Sequence, residues 1–111
     1  MYRVEKGELY YNDKSLGSAD DIYVDGRQDT AGYVKESNRK GFTVAKLVEG
    51  DYVFVTPANH IVGIEEKKAH DLCNSLRSRR LQRQLRRLEG SVSIPILGLR
   101  FTDKGRSKAQ F

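Results

Sequence analysis

Residues 49–67 read EGDYVFVTPANHIVGIEEK. Two segments rich in Val, Ile and aromatic residues flank a turn-forming TPAN sequence, which predicts two strands joined as a hairpin. Side chains alternate between the two faces of a strand, so Glu65 and Lys67 share one face and Glu66 points to the other. Antiparallel pairing of the two strands would bring Asp51 towards the face that carries Glu65 and Lys67.

These three side chains suggest a metal-assisted reaction. Two carboxylates with a lysine beside them are suited to hold a hard divalent cation and to position a water molecule for hydrolysis of a phosphodiester. Charged residues at strand ends also form ordinary solvated rims, and Glu-X-Lys alone is a weak pattern. The choice between a nuclease site and a solvated surface therefore depends on the surrounding sequence.

The composition is that of one globular domain. The chain has 111 residues, of which 38% are hydrophobic and 32% charged. No apolar run approaches the length of a membrane span and no signal peptide follows Met1, so we expect an intracellular protein, cytoplasmic or nuclear, that is not secreted.

The single Cys73 excludes an internal disulfide and predicts a core thiol in a reducing compartment. A zinc site built from Cys73, His60 and His70 is disfavoured because their spacing is not that of paired ligands.

The net charge of +5 is unevenly distributed. From Lys67 to Arg87 there are eight basic residues and one acidic residue, Asp71, which makes +7, whereas the other residues carry 12 basic and 14 acidic side chains, which makes −2. Such a basic block indicates a polyanionic partner, although a solvated arginine-rich helix has the same composition. Its position at the candidate metal site favours a nucleic acid.

The first half of the chain predicts short strands around one helix. Residues 1–21 indicate a hairpin or N-terminal extension, and Ile22–Val24 indicates a short strand. A helix is expected from about residue 29 to residue 40. Residues 42–55 predict one long strand, or two strands bent at Gly50.

The second half predicts a broken helix and a last strand. From residue 69 to residue 89 the apolar spacing is helical, but the apolar residues form two sets on different sides: Leu72, Cys73 and Leu76, then Leu81, Leu85 and Leu88. A break near Ser78 explains this rotation, and Gly90 ends the helix. Residues 92–101 predict a strand in which a proline favours an edge position or a bulge, and residues 102–111 form a polar, basic tail. The order of elements predicts an α/β fold with a central mixed sheet flanked by helices.

Four short motifs, together with their order and spacing, show a family resemblance. They are VDGRQ at 24–28, GDY at 50–52, EEKKAHDL at 65–72 and RLQRQLRRL at 80–88. Residues 22–101 thereby resemble the XPF-type nuclease domain, a branch of the restriction-endonuclease-like PD-(D/E)XK superfamily. Each motif is weak alone, but the joint pattern is specific. The resemblance implies a restriction-endonuclease-like core.

The resemblance also implies roles for individual residues. Asp25, Asp51 and Glu65 would hold Mg²⁺ or Mn²⁺, and Lys67 would complete the catalytic set by orienting the attacking water. Asp71 would start the following helix and support the site, although a helix-capping carboxylate is an equal alternative at this position. The basic side chains expected to contact DNA are Arg27, Lys68, Arg77, Arg79, Arg80, Arg83 and Arg87.

The implied function is a metal-dependent DNA endonuclease selective for branched, flap or junction DNA. Two residues depart from the family pattern: Glu66 replaces an arginine and Gln28 replaces a glutamate. They favour an alternative, a non-catalytic nucleic-acid-binding module derived from a nuclease. A third hypothesis, a protein-interaction module, would use the apolar strand at 94–99, for which a buried core position is the simpler interpretation. A homodimer is left open because nuclease domains of this family commonly pair.

Overall fold

The computed structural model describes residues 1–26 and 42–100. This part of the chain contains a short 3₁₀ turn at Ala69–Asp71, and its strands and helices are β1 (Tyr2–Glu5), β2 (Glu8–Tyr11), β3 (Lys14–Ser18), β4 (Ile22–Asp25), β5 (Phe42–Ala45), β6 (Tyr52–Val55), β7 (Ile61–Lys68), α1 (Leu72–Arg77), α2 (Arg80–Glu89) and β8 (Ile94–Arg100). The expected helix at residues 29–40 and the expected tail at residues 102–111 lie outside the described residues.

The central sheet is mixed, and its order is β5-β4-β6-β7-β8. Strand β4 runs parallel to β5 and antiparallel to β6, and β7 runs antiparallel to β6 and parallel to β8. The predicted hairpin is confirmed as β6 and β7, with Tyr52 opposite Ile64. The α/β class and the central mixed sheet are likewise confirmed.

One of the two predictions for residues 42–55, a single long strand, is wrong, because β5 and β6 are separate strands. They lie on opposite sides of β4, and a loop at residues 46–51 crosses between them. Gly50 in this loop has a φ of 87°, in the left-handed region that glycine adopts without steric cost. The chain therefore turns sharply just before Asp51.

The first 18 residues form a three-stranded antiparallel sheet in the order β1-β2-β3 rather than a single hairpin. Its buried Tyr2 and Leu9 belong to the same hydrophobic cluster as Tyr23, Leu47 and Val53. Burial of these side chains is the main force that joins the two sheets, because apolar area removed from water stabilises in proportion to its extent. The N-terminal sheet is thus packed on the central sheet through a shared core.

The predicted break in the helical region is confirmed. Helix α1 ends at Arg77, Arg79 adopts a left-handed φ of 62°, and α2 begins at the next residue. Leu81 and Leu88 are buried as their spacing predicts. Gly90 directly follows the last residue of α2.

The expectation that Cys73 is a core thiol is wrong, because its side chain is exposed. Ser75 is the buried residue of α1, and its hydroxyl accepts a hydrogen bond from Arg80 at 3.3 Å. Leu76 is 44% exposed. Helix α1 is only six residues long and follows a 3₁₀ turn, so the side facing the sheet differs from the one that a regular helical period assigns to it.

Strand β8 lies at the edge of the central sheet, as its proline predicts. The simpler interpretation of this strand as buried is wrong, because four of its large apolar side chains are 39–48% exposed. These are Ile94, Ile96, Leu97 and Leu99. Among the described residues, no helix combines the length and the apolar character needed to cross a membrane.

Candidate active site

Backbone hydrogen bonds of the central sheet bring three acidic residues to one place. The Asp25 N–H donates to the Asp51 carbonyl at 2.9 Å, and the Asp51 N–H donates to the Ile64 carbonyl at 2.7 Å. Asp25 ends β4, Asp51 directly precedes β6, and Glu65 follows Ile64 on β7. The three carboxylates therefore line one open cavity of about 410 Å³, together with Val48, Glu49, Gly50, Gln84 and Arg87.

The Asp51 carboxylate is held in a defined position. Its Oδ2 accepts a hydrogen bond from the Glu66 N–H at 2.7 Å. This contact is short because an ionised acceptor strengthens an amide hydrogen bond. The β6–β7 pairing thus fixes the direction of the Asp51 side chain as well as its backbone.

Asp51 and Glu65 interact strongly with one another. Burial, the neighbouring Asp51 charge and a hydrogen bond between the two carboxyl groups together raise the pKa of Glu65 to about 7, while Lys67 opposes the change. Burial also raises the pKa of Asp51, an effect that the Glu66 amide hydrogen bond counteracts and the Asp25 charge reinforces. The pair therefore concentrates negative charge that a cation would relieve.

Asp25 contributes to the cavity in a different way. It is only 5% exposed, and its Oδ1 accepts a hydrogen bond from the Leu47 N–H at 3.3 Å. This bond ties the end of β4 to the loop at residues 46–51. Asp25 therefore supports the loop that carries Asp51 in addition to lining the cavity.

The chemistry of these donors fits Mg²⁺ or Mn²⁺, since both prefer carboxylate oxygen. The hydrogen-bonded pair Asp51 and Glu65 supplies two such groups in contact. Within residues 1–26 and 42–100, however, no three side chains of His, Cys, Asp or Glu meet as a complete metal cage. The described residues thus provide a two-carboxylate site with Asp25 at its wall.

The other charged residues of β7 divide between the two faces as the strand alternation predicts. Lys67 is not one of the residues that line the cavity, but its charge acts on both Asp51 and Glu65. Glu66 forms an ion pair with Arg100 on β8, with Oε1 and Nη1 3.5 Å apart. The acidic residue that departs from the family pattern is therefore paired with a basic residue of the neighbouring strand.

Helix α2 forms the basic wall of the cavity because glycine allows it to approach closely. A Cβ added at Gly63 would lie 2.8 Å from a Leu88 methyl carbon, so any other residue here would force this buried leucine to shift. The contact places Arg87 over the cavity, where its Nε lies 3.5 Å from Glu49 Oε1. Gln84 lies one turn earlier and also lines the cavity.

Glu49 and Gln84 are cavity residues that the sequence did not single out as functional. The Gln84 Oε1 atom is buried and has no hydrogen-bond partner in the described part of the chain. In the sequence, Gln84 lies inside the RLQRQLRRL motif and Glu49 directly precedes the GDY motif. These positions were the sequence signals that could have identified the two residues. Neither position reveals that the residue lines the cavity. For Glu49, the direction of the side chain depends on the conformation of the loop at residues 46–51.

The remaining basic residues expected to bind DNA are on the surface. Helical geometry of 100° per residue places Arg80 and Arg83 on the same side of α2 as Arg87. Lys68, Arg77 and Arg79 are also exposed. Arg27 lies outside the described residues, as does Gln28.

Asp71 does not act as a capping residue. It directly precedes α1, but its side chain makes no capping hydrogen bond. Its Oδ1 instead lies 3.5 Å from the Nε2 of His70, and both side chains are largely exposed.

Comparison with known proteins agrees with this fold. The solved structure of XPF from Aeropyrum pernix is similar, with a TM-score of 0.54 and 25% sequence identity. The similarity covers 78% of this chain and 46% of that chain, so this chain spans about half the length of its structural relative. No curated protein sequence matches. The family model of the ERCC4 domain matches residues 22–109, which include all three cavity carboxylates, and the chain therefore belongs to the ERCC4 domain family.

Proposed function

We propose that this protein is a metal-dependent endonuclease that hydrolyses phosphodiester bonds in DNA. The observation that carries the proposal is the placement of Asp51 and Glu65 in one cavity with Asp25, with the charge of Lys67 acting on both Asp51 and Glu65. A structural surface gains nothing from two adjacent, partly buried carboxylates, since burial raises the pKa of both and the Asp51 charge raises that of Glu65 further. Membership of the ERCC4 domain family, whose members are nucleases, supports the same conclusion.

Asp51 and Glu65 would hold Mg²⁺ or Mn²⁺, with Asp25 contributing from the cavity wall. When bound, such an ion supplies Lewis-acid stabilisation of the charge that develops on the phosphate. Glu65 must lose its proton to serve as a ligand, and the Glu66 amide keeps Asp51 directed at the same point. The Lys67 ammonium would orient the attacking water and balance negative charge at the scissile phosphate.

The arginines of α2 would bind the DNA backbone beside the cavity. Arg80 and Arg83 extend the surface that begins with Arg87 at the cavity rim. Contacts of this kind neutralise phosphates without reading the bases, so they predict affinity that falls steeply with salt. The resemblance to XPF-type domains further suggests selectivity for branched, flap or junction DNA.

A cleavage assay tests the proposal directly. Labelled single-stranded, duplex, flap and four-way-junction DNA would be incubated with the protein in Mg²⁺, in Mn²⁺ and in EDTA. The expected result is cutting that requires metal, favours branched substrates and is lost in Asp51→Asn and in Lys67→Ala. Thermal unfolding of both variants serves as the control for folding, and Glu89→Gln, at an exposed position outside the cavity, should cut normally.

Two outcomes would contradict the assignment. Cutting that persists in Asp51→Asn or Lys67→Ala would show that the reaction occurs elsewhere or is a contaminant. DNA binding without cutting in any metal would instead support the non-catalytic module. Analytical ultracentrifugation of the same preparation, with and without DNA, would test for a homodimer.

A further inference from the structure

The N-terminal sheet reaches the acidic cavity through the side chain of Tyr2. This residue lies on β1 and is 3% exposed. Its hydroxyl donates a hydrogen bond to the Glu49 carbonyl at 2.7 Å and accepts one from the Glu49 N–H at 3.4 Å. Tyr2 precedes the part of the chain that matches the ERCC4 domain, which begins at residue 22.

Glu49 lies two residues before Asp51 in the loop at residues 46–51. Between them lies Gly50, with its left-handed φ of 87°, so the orientation of the Glu49 peptide decides how Asp51 enters β6. The Glu49 side chain is held separately by Arg87. Tyr2 thus fixes the backbone of this residue, while α2 fixes its carboxylate.

Tyr2 is itself held rigidly. Its N–H donates to the Ser91 carbonyl at 3.0 Å, just after the end of α2. Its ring packs edge-on against Tyr11, with centroids 4.7 Å apart. Burial raises the pKa of Tyr2 to about 12, so the hydroxyl remains protonated at any working pH. A fixed donor bound to a loop backbone is a means of setting the position of a nearby functional group.

We propose that Tyr2 is a positioning residue for the candidate active site. Its hydroxyl holds the Glu49 peptide and thereby directs the Asp51 carboxylate into the cavity. The N-terminal sheet then helps to position the active-site residues and is not a separate extension. Only the expected effect on cleavage rests on the proposed function, because the position of Asp51 can be measured without any reaction.

The test compares Tyr2→Phe with Tyr23→Phe. Each substitution removes one hydroxyl from a buried ring, and the Tyr23 hydroxyl donates to the Ser18 carbonyl at the same distance of 2.7 Å. Both variants lose a donated hydrogen bond of the same length, and Tyr2→Phe also loses the longer bond from the Glu49 N–H. Of the two tyrosines, only Tyr2 is bonded to the loop before Asp51. Urea unfolding should show that both variants remain folded and lose similar stability.

The first readout is the backbone amide of Glu66, which donates to Asp51 Oδ2. In ¹⁵N-resolved NMR spectra recorded in EDTA, Tyr2→Phe should move this resonance upfield and speed its hydrogen exchange about tenfold, as expected when a hydrogen bond to a charged acceptor weakens. Tyr23→Phe should leave it in place. An unchanged Glu66 amide in Tyr2→Phe, or equal changes in both variants, would overturn the proposal.

The second readout is cleavage of the DNA substrate that the wild-type protein cuts best. We expect Tyr2→Phe to lower kcat about tenfold with little change in KM, since a misplaced functional group impairs the reaction more than substrate binding. Tyr23→Phe should retain kcat within about twofold, because the hydroxyl that it removes is bonded to Ser18 and not to the loop before Asp51. Equal loss of kcat in both variants would reduce Tyr2 to a structural role. Absence of cleavage by the wild-type protein would contradict the proposed function but leave the Glu66 amide test valid.

Discussion

Replacing Glu65 by glutamine should stabilise the metal-free protein at pH 8 and abolish cleavage. Burial and the adjacent Asp51 raise the pKa of Glu65 from its ordinary value of 4.5 to about 7. An ionised Glu65 is therefore unfavourable in the folded state. Glutamine has nearly the same shape, carries no charge and can donate a hydrogen bond to Asp51 as the protonated acid does.

The sign and size of the effect follow from linkage. A carboxyl whose pKa is raised on folding stabilises the protein below its unfolded pKa, and this stability is lost as pH rises through the folded pKa. Fully protonated and fully ionised Glu65 differ by about 3.4 kcal/mol at about 1.4 kcal/mol per pH unit, of which about 2.5 kcal/mol is lost between pH 5 and pH 8. Solvent around the partly buried side chain weakens the interaction. The expected loss of stability between pH 5 and pH 8 is therefore about 1–2.5 kcal/mol, with the unscreened value as its upper limit.

The assay is urea unfolding in EDTA at pH 5 and pH 8. The stability of Glu65→Gln relative to wild type should increase by about 1–2.5 kcal/mol between the two pH values. Glu89→Gln is the matched control, because its exposed side chain lies outside the acidic cavity. A relative stability of Glu65→Gln that does not change with pH would refute the reasoning.

Metal addition extends the same test. At pH 8, Mg²⁺ or Mn²⁺ at 100 times its Kd should stabilise the wild-type protein by about 2.7 kcal/mol. Glu65→Gln lacks one ligand and should gain little at the same metal concentration. Equal stabilisation of both proteins would show that the ion binds away from Glu65, even if the pH dependence were as expected.

Further predictions concern packing, DNA binding and the free thiol. Gly63→Ala should lower the free energy of unfolding by about 1–3 kcal/mol in urea titrations, because the new methyl group would meet Leu88 at 2.8 Å. Arg83→Gln should make the slope of log K against log salt shallower by about 0.9 in fluorescence anisotropy with duplex DNA and EDTA, as one phosphate contact is lost. Cys73→Ser should change stability by less than about 0.5 kcal/mol, and the native Cys73 thiol should react with a thiol reagent without denaturant.

Local patterns in the sequence were sufficient for much of the fold. Alternation around a turn identified the β6–β7 hairpin, and two leucine sets out of phase identified the break before α2. The same alternation placed Glu65 and Lys67 on one face, because a strand leaves only two directions for a side chain. These features depend on neighbours a few residues apart, so the sequence expresses them directly.

The position of Cys73 shows where this reasoning fails. Its spacing from Leu72 and Leu76 suggested a core face, but α1 is too short and too irregularly started for a helical period to assign its sides. The same is true of β8, whose composition resembles a core strand although it lies exposed at the edge of the sheet. Burial of a strand or helix depends on which other elements pack against it. The residues of that strand or helix alone do not specify those neighbours.

The sequence by itself determined the acidic and basic groups of the site and the strands that carry two of them. Only the tertiary structure decided that Glu49 and Gln84 join them in one cavity, and that Tyr2 bonds to a residue 47 positions further along the chain. The physical reason is that such contacts follow from the packing of whole elements. The absent side chain of Gly63 lets Leu88 approach β7, and this close approach brings α2 against the acidic residues.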